Sequence, residues 1–336
     1  MVMLKPPAFW RNPAARLLPA LLSPVEALVI RAARKRQEKS GWSAPVPVLC
    51  CGNVSVGGTG KTPVVMELAQ RLIRRGKKPH ILARGYGGRV PDGTRVDPRR
   101  HGAGDVGDEP LLLASICPVW VGGDRVRGAE RAIEAGADCL LMDDGFQNPG
   151  LRKTASLLVI DGGAGVGNGH ILPAGPLREP LTDALARSTA ILLTGVDRTS
   201  LLPRLQACGK PVFQAFFKQS VEVAAVMGKP CIAFAGLGRP DKLFDTLRAA
   251  GVNLVGTRTF ADHHPYTAHD LARLETEAGR HGAVLVTTPK DHVRLPSEFQ
   301  ARVISVGVDL IWRDEADPEW ILDRFLEGEW HGSVAS

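Results

Sequence analysis

The segment Ser55-Val56-Gly57-Gly58-Thr59-Gly60-Lys61-Thr62 has the residue types that hold a nucleoside phosphate. It follows an apolar run and opens a helical pattern, the setting that a phosphate-binding P-loop needs. Glycine lets backbone N–H groups turn inward on phosphate oxygens. Lys61 reaches the β- and γ-phosphates of a bound nucleotide such as ATP, and Thr62 offers a hydroxyl to Mg2+. The usual first glycine is Ser55 here; Gly57 and Gly58 keep the flexibility. The bland alternative, a flexible turn, is disfavoured by motif and context together. A second signal is Cys139-Leu140-Leu141-Met142-Asp143-Asp144, an apolar run ending in acids. Such a strand end places a carboxylate beside the metal ion. Asp143 is the favoured metal-side acid; Asp144 shares that role or positions a nucleophile.

A phosphoryl transferase also needs a base near the acceptor hydroxyl and contacts to the acceptor. Four short stretches offer them. Gly107-Asp108-Glu109-Pro110 puts adjacent acids at a helix start, and Asp262-His263-His264-Pro265-Tyr266 gathers titratable groups. Arg84-Gly85-Tyr86-Gly87-Gly88 follows a strand, and Gly175-Pro176-Leu177-Arg178-Glu179-Pro180 carries an Arg–Glu pair on a stiff loop. Each has a plainer reading. Asp108 can be a helix N-cap, the histidines a solvated loop, Arg84 and Tyr86 turn residues, and Glu179 a partner for Arg178 only. A guanine-reading N-K-x-D is absent: the nearest match is Thr287-Thr288-Pro289-Lys290-Asp291. That argues against a P-loop GTPase or metallochaperone. A soluble small-molecule kinase of similar architecture is the other alternative. Lys290 and Asp291 are candidates for contact with adenine.

These residues need a scaffold. Strand patterns at 46–56, 79–83, 119–122, 139–142, 157–160 and 190–194 alternate with helical patterns at 62–75, 109–116 and 126–135. That order predicts an α/β fold of the P-loop type, a mainly parallel sheet with helices on both faces. Ligands then sit beyond the carboxyl ends of the strands. A smaller second α/β unit is expected over 201–325, from strand patterns at 230–235, 252–257, 283–287 and 302–306 and helical ones at 242–250 and 271–280. The P-loop domain takes 46–200, and residues 1–45 form an N-terminal segment.

The chain has 336 residues and a net charge of +7. Residues 1–45 hold eight basic groups, Lys5 among them, against two acids, so +6 lies in this arm. The remainder is nearly neutral, which argues against a nucleic-acid-binding face. Six cysteines without a C-x-x-C pair read as small buried hydrophobes. In the arm, Leu17, Leu18, Leu21, Leu22, Val25, Leu28 and Val29 recur at helical spacing, followed by Arg31, Arg34, Lys35, Arg36 and Lys39. Pro19 and Pro24 are expected to kink or split this helix. The stripe fits equally a core-packed helix and one lying in a membrane interface. Its longest uncharged run, nine residues, falls short of the roughly 20 that span a bilayer.

Taken together, the motifs are similar to those of the tetraacyldisaccharide 4′-kinases, the lipid A 4′-kinases of Gram-negative bacteria. The resemblance rests on the run Gly52–Pro63, on Arg84–Gly88 and Gly107–Pro110, on Asp143-Asp144-Gly145-Phe146-Gln147 and Leu177–Pro180, and on Phe234–Gly238 and Asp262–His264. It implies an ATP- and Mg2+-dependent kinase acting on the 4′-hydroxyl of an acylated disaccharide 1-phosphate. It implies a peripheral position at the cytoplasmic face of the inner membrane, with no obligate protein partner. It implies that Asp108 works with a histidine, His263 being favoured over His264 because it directly follows the acid. Thr62, Asp143, Asp144 and Glu179 are then expected around Mg2+, and Arg84, Tyr86, Gln147 and Arg178 near the acceptor. One departure is Asn148, where the family usually has His after Gly-Phe-Gln.

Overall fold

The computed structural model describes residues 7–12, 14–238 and 240–328; Lys5 of the arm lies outside them. Among the described residues, thirteen strands form two sheets. The strands are β1 (Val48–Gly52), β2 (Pro79–Ala83), β3 (Thr94–Arg95), β4 (Val119–Val121), β5 (Cys139–Asp143), β6 (Ala155–Asp161) and β7 (Ala190–Thr194), then β8 (Val212–Gln219), β9 (Pro230–Ala235), β10 (Asn253–Thr259), β11 (Val284–Thr287), β12 (Val303–Ser305) and β13 (Val308–Trp312). The larger sheet has the order β13-β8-β7-β6-β1-β5-β2-β4-β3 and the smaller β10-β9-β11-β12. All pairings are parallel except β13 with β8 and β3 with β4, at the two edges of the larger sheet. The expected fold class is therefore present.

The central strands are apolar along their whole length because both faces are covered. In β1, Leu49 and Cys51 join one apolar layer, with Val64, Leu68 and Leu72 of the helix Lys61–Arg74. Val48 and Cys50 join the opposite layer. Fully burying a side chain such as Leu68 contributes roughly 1.5–3 kcal/mol. All six cysteines are free, and five of them are buried.

Three elements depart from the sequence pattern. The first strand stops at Gly52 instead of running to 56, because the chain must bend there into the phosphate loop. The helix expected over 109–116 is Asp108–Leu113. The domain boundary expected at 200/201 falls inside the larger sheet. β8 extends that sheet beside β7, with Ile191 opposite Val212. β13 pairs back on β8 from the far side of the smaller sheet, with Leu310 opposite Phe217. The last helix, Ala316–Glu327, buries Ile321, Leu322 and Phe325 in the same layer as Leu72. The smaller unit is thus inserted between β8 and β13 and hangs from that two-stranded ribbon.

The arm forms one helix, Leu17–Gln37, that Pro24 does not break. Pro19 sits in the first turn, where no N–H is needed. Pro24 leaves the Ala20 carbonyl without its intrahelical donor, and the Ser23 hydroxyl bonds that carbonyl at 2.8 Å. One face docks on the body. Glu26 accepts from Ile171 N–H at 2.7 Å and faces His170 Nδ1 at 3.0 Å, and Arg34 pairs with Asp183 at 2.7 Å. The other face leaves Leu17, Leu18, Leu21, Val25 and Leu28 exposed. No helix among the described residues is long and apolar enough to cross a membrane.

Candidate functional site

The strand order puts the ends of β1, β5 and β2 side by side, so the phosphate loop, the Asp143-Asp144 pair and the Arg84–Gly88 loop share one edge. Gly60 enters the helix Lys61–Arg74 with φ +77°, in the left-handed region. A Cβ there would also meet the Phe217 ring of β8 at 2.4 Å. At Gly57 and Gly58 a Cβ would meet nothing within 4 Å, so the loop has open space in front of it. Lys61 Nζ donates to Asn53 Oδ1 at 3.1 Å and lies 3.3 Å from Asp144 Oδ1. The loop carrying Arg178 and Glu179 is pinned to the same place: Val56 N–H donates to Pro176 O at 2.8 Å and Arg178 N–H to Val54 O at 2.7 Å.

Asp143 ends β5 with its side chain enclosed. Its Oδ1 has no hydrogen-bond partner among the described residues. Burial, with the nearby charges of Glu109 and Asp144, pushes its pKa up to about 7 against the pull of Lys61. Asp144 adopts φ +54° and takes Arg178 Nη1 at 3.0 and 3.1 Å. Burial would raise its pKa, but Lys61 and Arg178 outweigh that and hold it low. An enclosed carboxylate with an orphaned oxygen, on the strand that packs against the helix bearing the buried Thr62, fits a hard cation. Among the described residues no three His, Cys, Asp or Glu side chains converge into a cage. Mg2+ is commonly held by one or two carboxylates together with substrate phosphates, so the donor set suits that ion. Glu179 is bound by Arg187 and, at 2.9 Å, by Gln147 Nε2. Gln147 also donates to Asn53 O at 2.8 Å and accepts from Arg178 Nη1 at 3.3 Å. It therefore ties the loops together. Arg84 and Tyr86 stand exposed after β2.

Asp108 is the first residue of its helix; Gly107 is the cap, so the Asp108 side chain is not used for capping. Gly107 has φ +87°, and a Cβ there would press on Tyr86 O at 3.1 Å, which links this turn to the Arg84–Gly88 loop. Across the two units, His263 Nδ1 lies 2.7 Å from Asp108 Oδ2. A carboxylate only accepts, so Nδ1 carries the hydrogen. His263 holds φ +58°, uncommon for a residue with a side chain, and its N–H bonds Gly236 O at 3.2 Å. The bond to Asp108 raises the His263 pKa against its partial burial. Burial would raise the Asp108 pKa, but the bonds from His263 and Arg294 bring it below the usual carboxylate range. His264 is engaged elsewhere, 2.9 Å from Asp270 and stacked on Phe260. The geometry thus brings His263, and not His264, to Asp108.

Lys290 donates to Glu109 at 2.6 Å, also bridging the units. Asp291, expected near adenine, is fully buried and accepts from Gly236 N–H, Tyr266 O–H, Thr288 O–H and Arg294. It braces the fold and offers nothing to a base. Asn148 Oδ1 accepts from Gly150 N–H at 2.9 Å, a local turn bond. Three site residues escaped sequence reasoning. Asn53 orients Lys61. Arg125 is a buried cation bonded to Ala83 O at 2.7 Å and to Gly122 O at the ends of β2 and β4. Arg294 reaches Asp108. Of these, Arg294 alone had a signal, its spacing of three from Asp291 across the end of a short helix.

The geometry can be set beside known proteins. The profile of the family described as tetraacyldisaccharide-1-P 4′-kinase matches residues 18–327. The tetraacyldisaccharide 4′-kinase of Gluconacetobacter diazotrophicus is 52% identical over 321 residues, 96% of this chain and 98% of that protein. The one from Gluconobacter oxydans is 49% identical, over 95% of this chain and 97% of that protein. The crystal structure of LpxK from Aquifex aeolicus in complex with ATP superposes with a TM-score of 0.74 at 26% identity, over 92% of this chain and 100% of that one. A phosphate loop, an acid-ended strand beside it, an Asp–His pair closed from a second unit, and a match over nearly the whole length agree: this chain belongs to the tetraacyldisaccharide-1-P 4′-kinase family.

Proposed function

We propose that this chain uses the Asp108–His263 pair as the base in ATP-dependent phosphorylation of the 4′-hydroxyl of tetraacyldisaccharide 1-phosphate. One observation carries the reading: the pair is made between residues 155 apart in sequence and from different units, and Asp108 accepts it through Oδ2. Oδ1 takes no donor among the described residues and is left for the acceptor hydroxyl. Asp108 takes the hydroxyl proton as the oxygen attacks the γ-phosphorus. His263 holds the carboxylate and stabilises its charge. Lys61 and the loop N–H groups of Gly57, Gly58, Thr59 and Gly60 bind the phosphates and offset charge in transfer, the Val56 N–H being taken by Pro176 O. Mg2+, when bound, neutralises charge on the β- and γ-phosphate oxygens. Thr62 and Asp143 would hold it, with Asp144 and Glu179 behind them. Arg84 and Tyr86 face the acceptor side, and Arg178 and Gln147 keep the neighbouring loops in place.

An acceptor with four acyl chains has to be met at a bilayer surface. The exposed leucines of the arm helix, continuing into Arg31 and Lys35 on the same face, support a peripheral position on the anionic cytoplasmic face of the inner membrane. The test is transfer from γ-labelled ATP to the tetraacylated disaccharide 1-phosphate in mixed micelles. One labelled phosphate per acceptor, at the 4′ position, is expected. An unlabelled acceptor, or labelling only with GTP, would refute the reading.

A further inference from the structure

The Asp108 carboxylate receives a second donor. Arg294 lies just after the short helix Pro289–His292 of the smaller unit, with 3% of its side chain exposed. Its Nη2 donates to Asp108 Oδ2, the same oxygen that His263 holds. Its Nη1 donates to Asp291 Oδ1 at 2.9 Å and to Gly236 O at 2.8 Å. Asp291 keeps three other donors, from Gly236 N–H, Tyr266 O–H and Thr288 O–H. The hydrogen bonds of Asp291 are therefore largely met without the arginine, which is also its buried counter-charge. What Arg294 adds is the reach across to Asp108. It does so as a buried cation with an unpartnered Nε, an arrangement that seldom favours stability over an apolar replacement. Rules of packing tend to be broken in this way at working sites.

We propose that Arg294 is a positioning residue for phosphoryl transfer, sharing Asp108 Oδ2 with His263 so that the carboxylate cannot rotate and Oδ1 alone meets the acceptor hydroxyl. This rests on the reading of Asp108 as the base. Rotation about the last torsion of Asp is broad and roughly two-fold. One histidine leaves that freedom largely intact; two charge-assisted donors arriving on one oxygen remove it. The planar guanidinium spans Asp108, Asp291 and Gly236 O at once, which a lysine ammonium on a flexible stem does not. The groups facing this centre are Asp108 from the larger unit and His263, Asp262, Tyr266 and Asp291 from the smaller, with the Glu109–Lys290 pair beside it. The platform that sets the angle of the base thus belongs to the smaller unit, and is in place only when the two units are together.

The experiment measures kcat and KM for ATP with the full chain and the acylated acceptor. Arg294→Lys and Arg294→Ala are made in the wild type and in Asp108→Asn. Arg294→Lys should lower kcat about tenfold and Arg294→Ala about 100-fold, with KM for ATP within about twofold. Millimolar guanidinium should restore at least about tenfold of the kcat lost in Arg294→Ala and leave His263→Ala unchanged. In Asp108→Asn, removing Arg294 should cost nothing further. If Arg294→Ala does not fold, Arg294→Lys decides the matter alone. Wild-type kcat in Arg294→Lys overturns the proposal, as does the same fractional loss with and without the Asp108 carboxylate. If Asp108→Asn itself keeps wild-type kcat, the base reading fails, and that result is distinct from a failure of Arg294 alone.

Discussion

At the scale of the residue, the groups legible in the sequence were those whose chemistry is local. The phosphate loop and the acids at 143 and 144 lie in contiguous motifs, and the structure puts them at adjoining strand ends. The partner of Asp108 was legible only to within two histidines. His263 and His264 have the same chemistry, and the difference lies in a left-handed backbone at 263 and an Asp270 partner at 264. Arg125 was not legible and Arg294 only as a neighbour of Asp291, because a single arginine shows its distant partners only after folding. The His263–Asp108 pair also carries a pH signature. A histidine whose folded pKa is raised adds stability that is fully present below its unfolded pKa, about 6.5, and is lost as pH rises through the folded value. The depressed Asp108 contributes in the opposite sense, losing its share only as pH falls through a value below the usual range. The Tm difference between wild type and His263→Ala is therefore expected to be largest near pH 6 and to shrink towards pH 9. A difference that grows with pH would contradict this charge assignment.

At the scale of the element, the arm shows why composition left two readings open. The helix is amphipathic twice over, with one face docked through Glu26, Val29, Ile30 and Arg34 and the other bare. The face proposed to meet the membrane is not the one that docks, so the two roles do not compete. Changing Leu21 and Leu28 to Glu touches only the bare face. Surface changes of that kind move stability by no more than about 0.5 kcal/mol, so Tm should hold. Burying a leucine is worth roughly 1.5–3 kcal/mol, so flotation with anionic liposomes should fall by at least about tenfold. Unchanged flotation would remove the arm from any role at the bilayer. A fall in Tm of several degrees would make the exposed face part of the core.

At the scale of the whole molecule, the sequence read six parallel strands of the larger sheet and the existence of a second sheet, but neither the short edge strand β3 nor how the two units are joined. β8 and β13 pair across about 90 residues of intervening chain, and no local period announces such a partner. The consequence is functional: the smaller unit hangs from a two-stranded ribbon whose Phe217 rests on the phosphate loop at Gly60. It reaches Asp108, the proposed base, through His263 and Arg294, and the neighbouring Glu109 through Lys290. On the reading of Asp108 as the base, an arrangement complete only when the units meet would limit hydrolysis of ATP without acceptor. Deleting the His263 side chain should therefore raise the ratio of ATP hydrolysis to acceptor phosphorylation, read from labelled phosphate released against labelled lipid.

The most direct measurement is kcat for acceptor phosphorylation in Asp108→Asn, His263→Ala and the double variant. Removing the base is expected to cost about 100- to 10,000-fold. If the two residues act as one unit, the double variant should be no slower than Asp108→Asn alone. A double variant slower by the full product of the two single losses would show that they act independently, and would contradict the dyad.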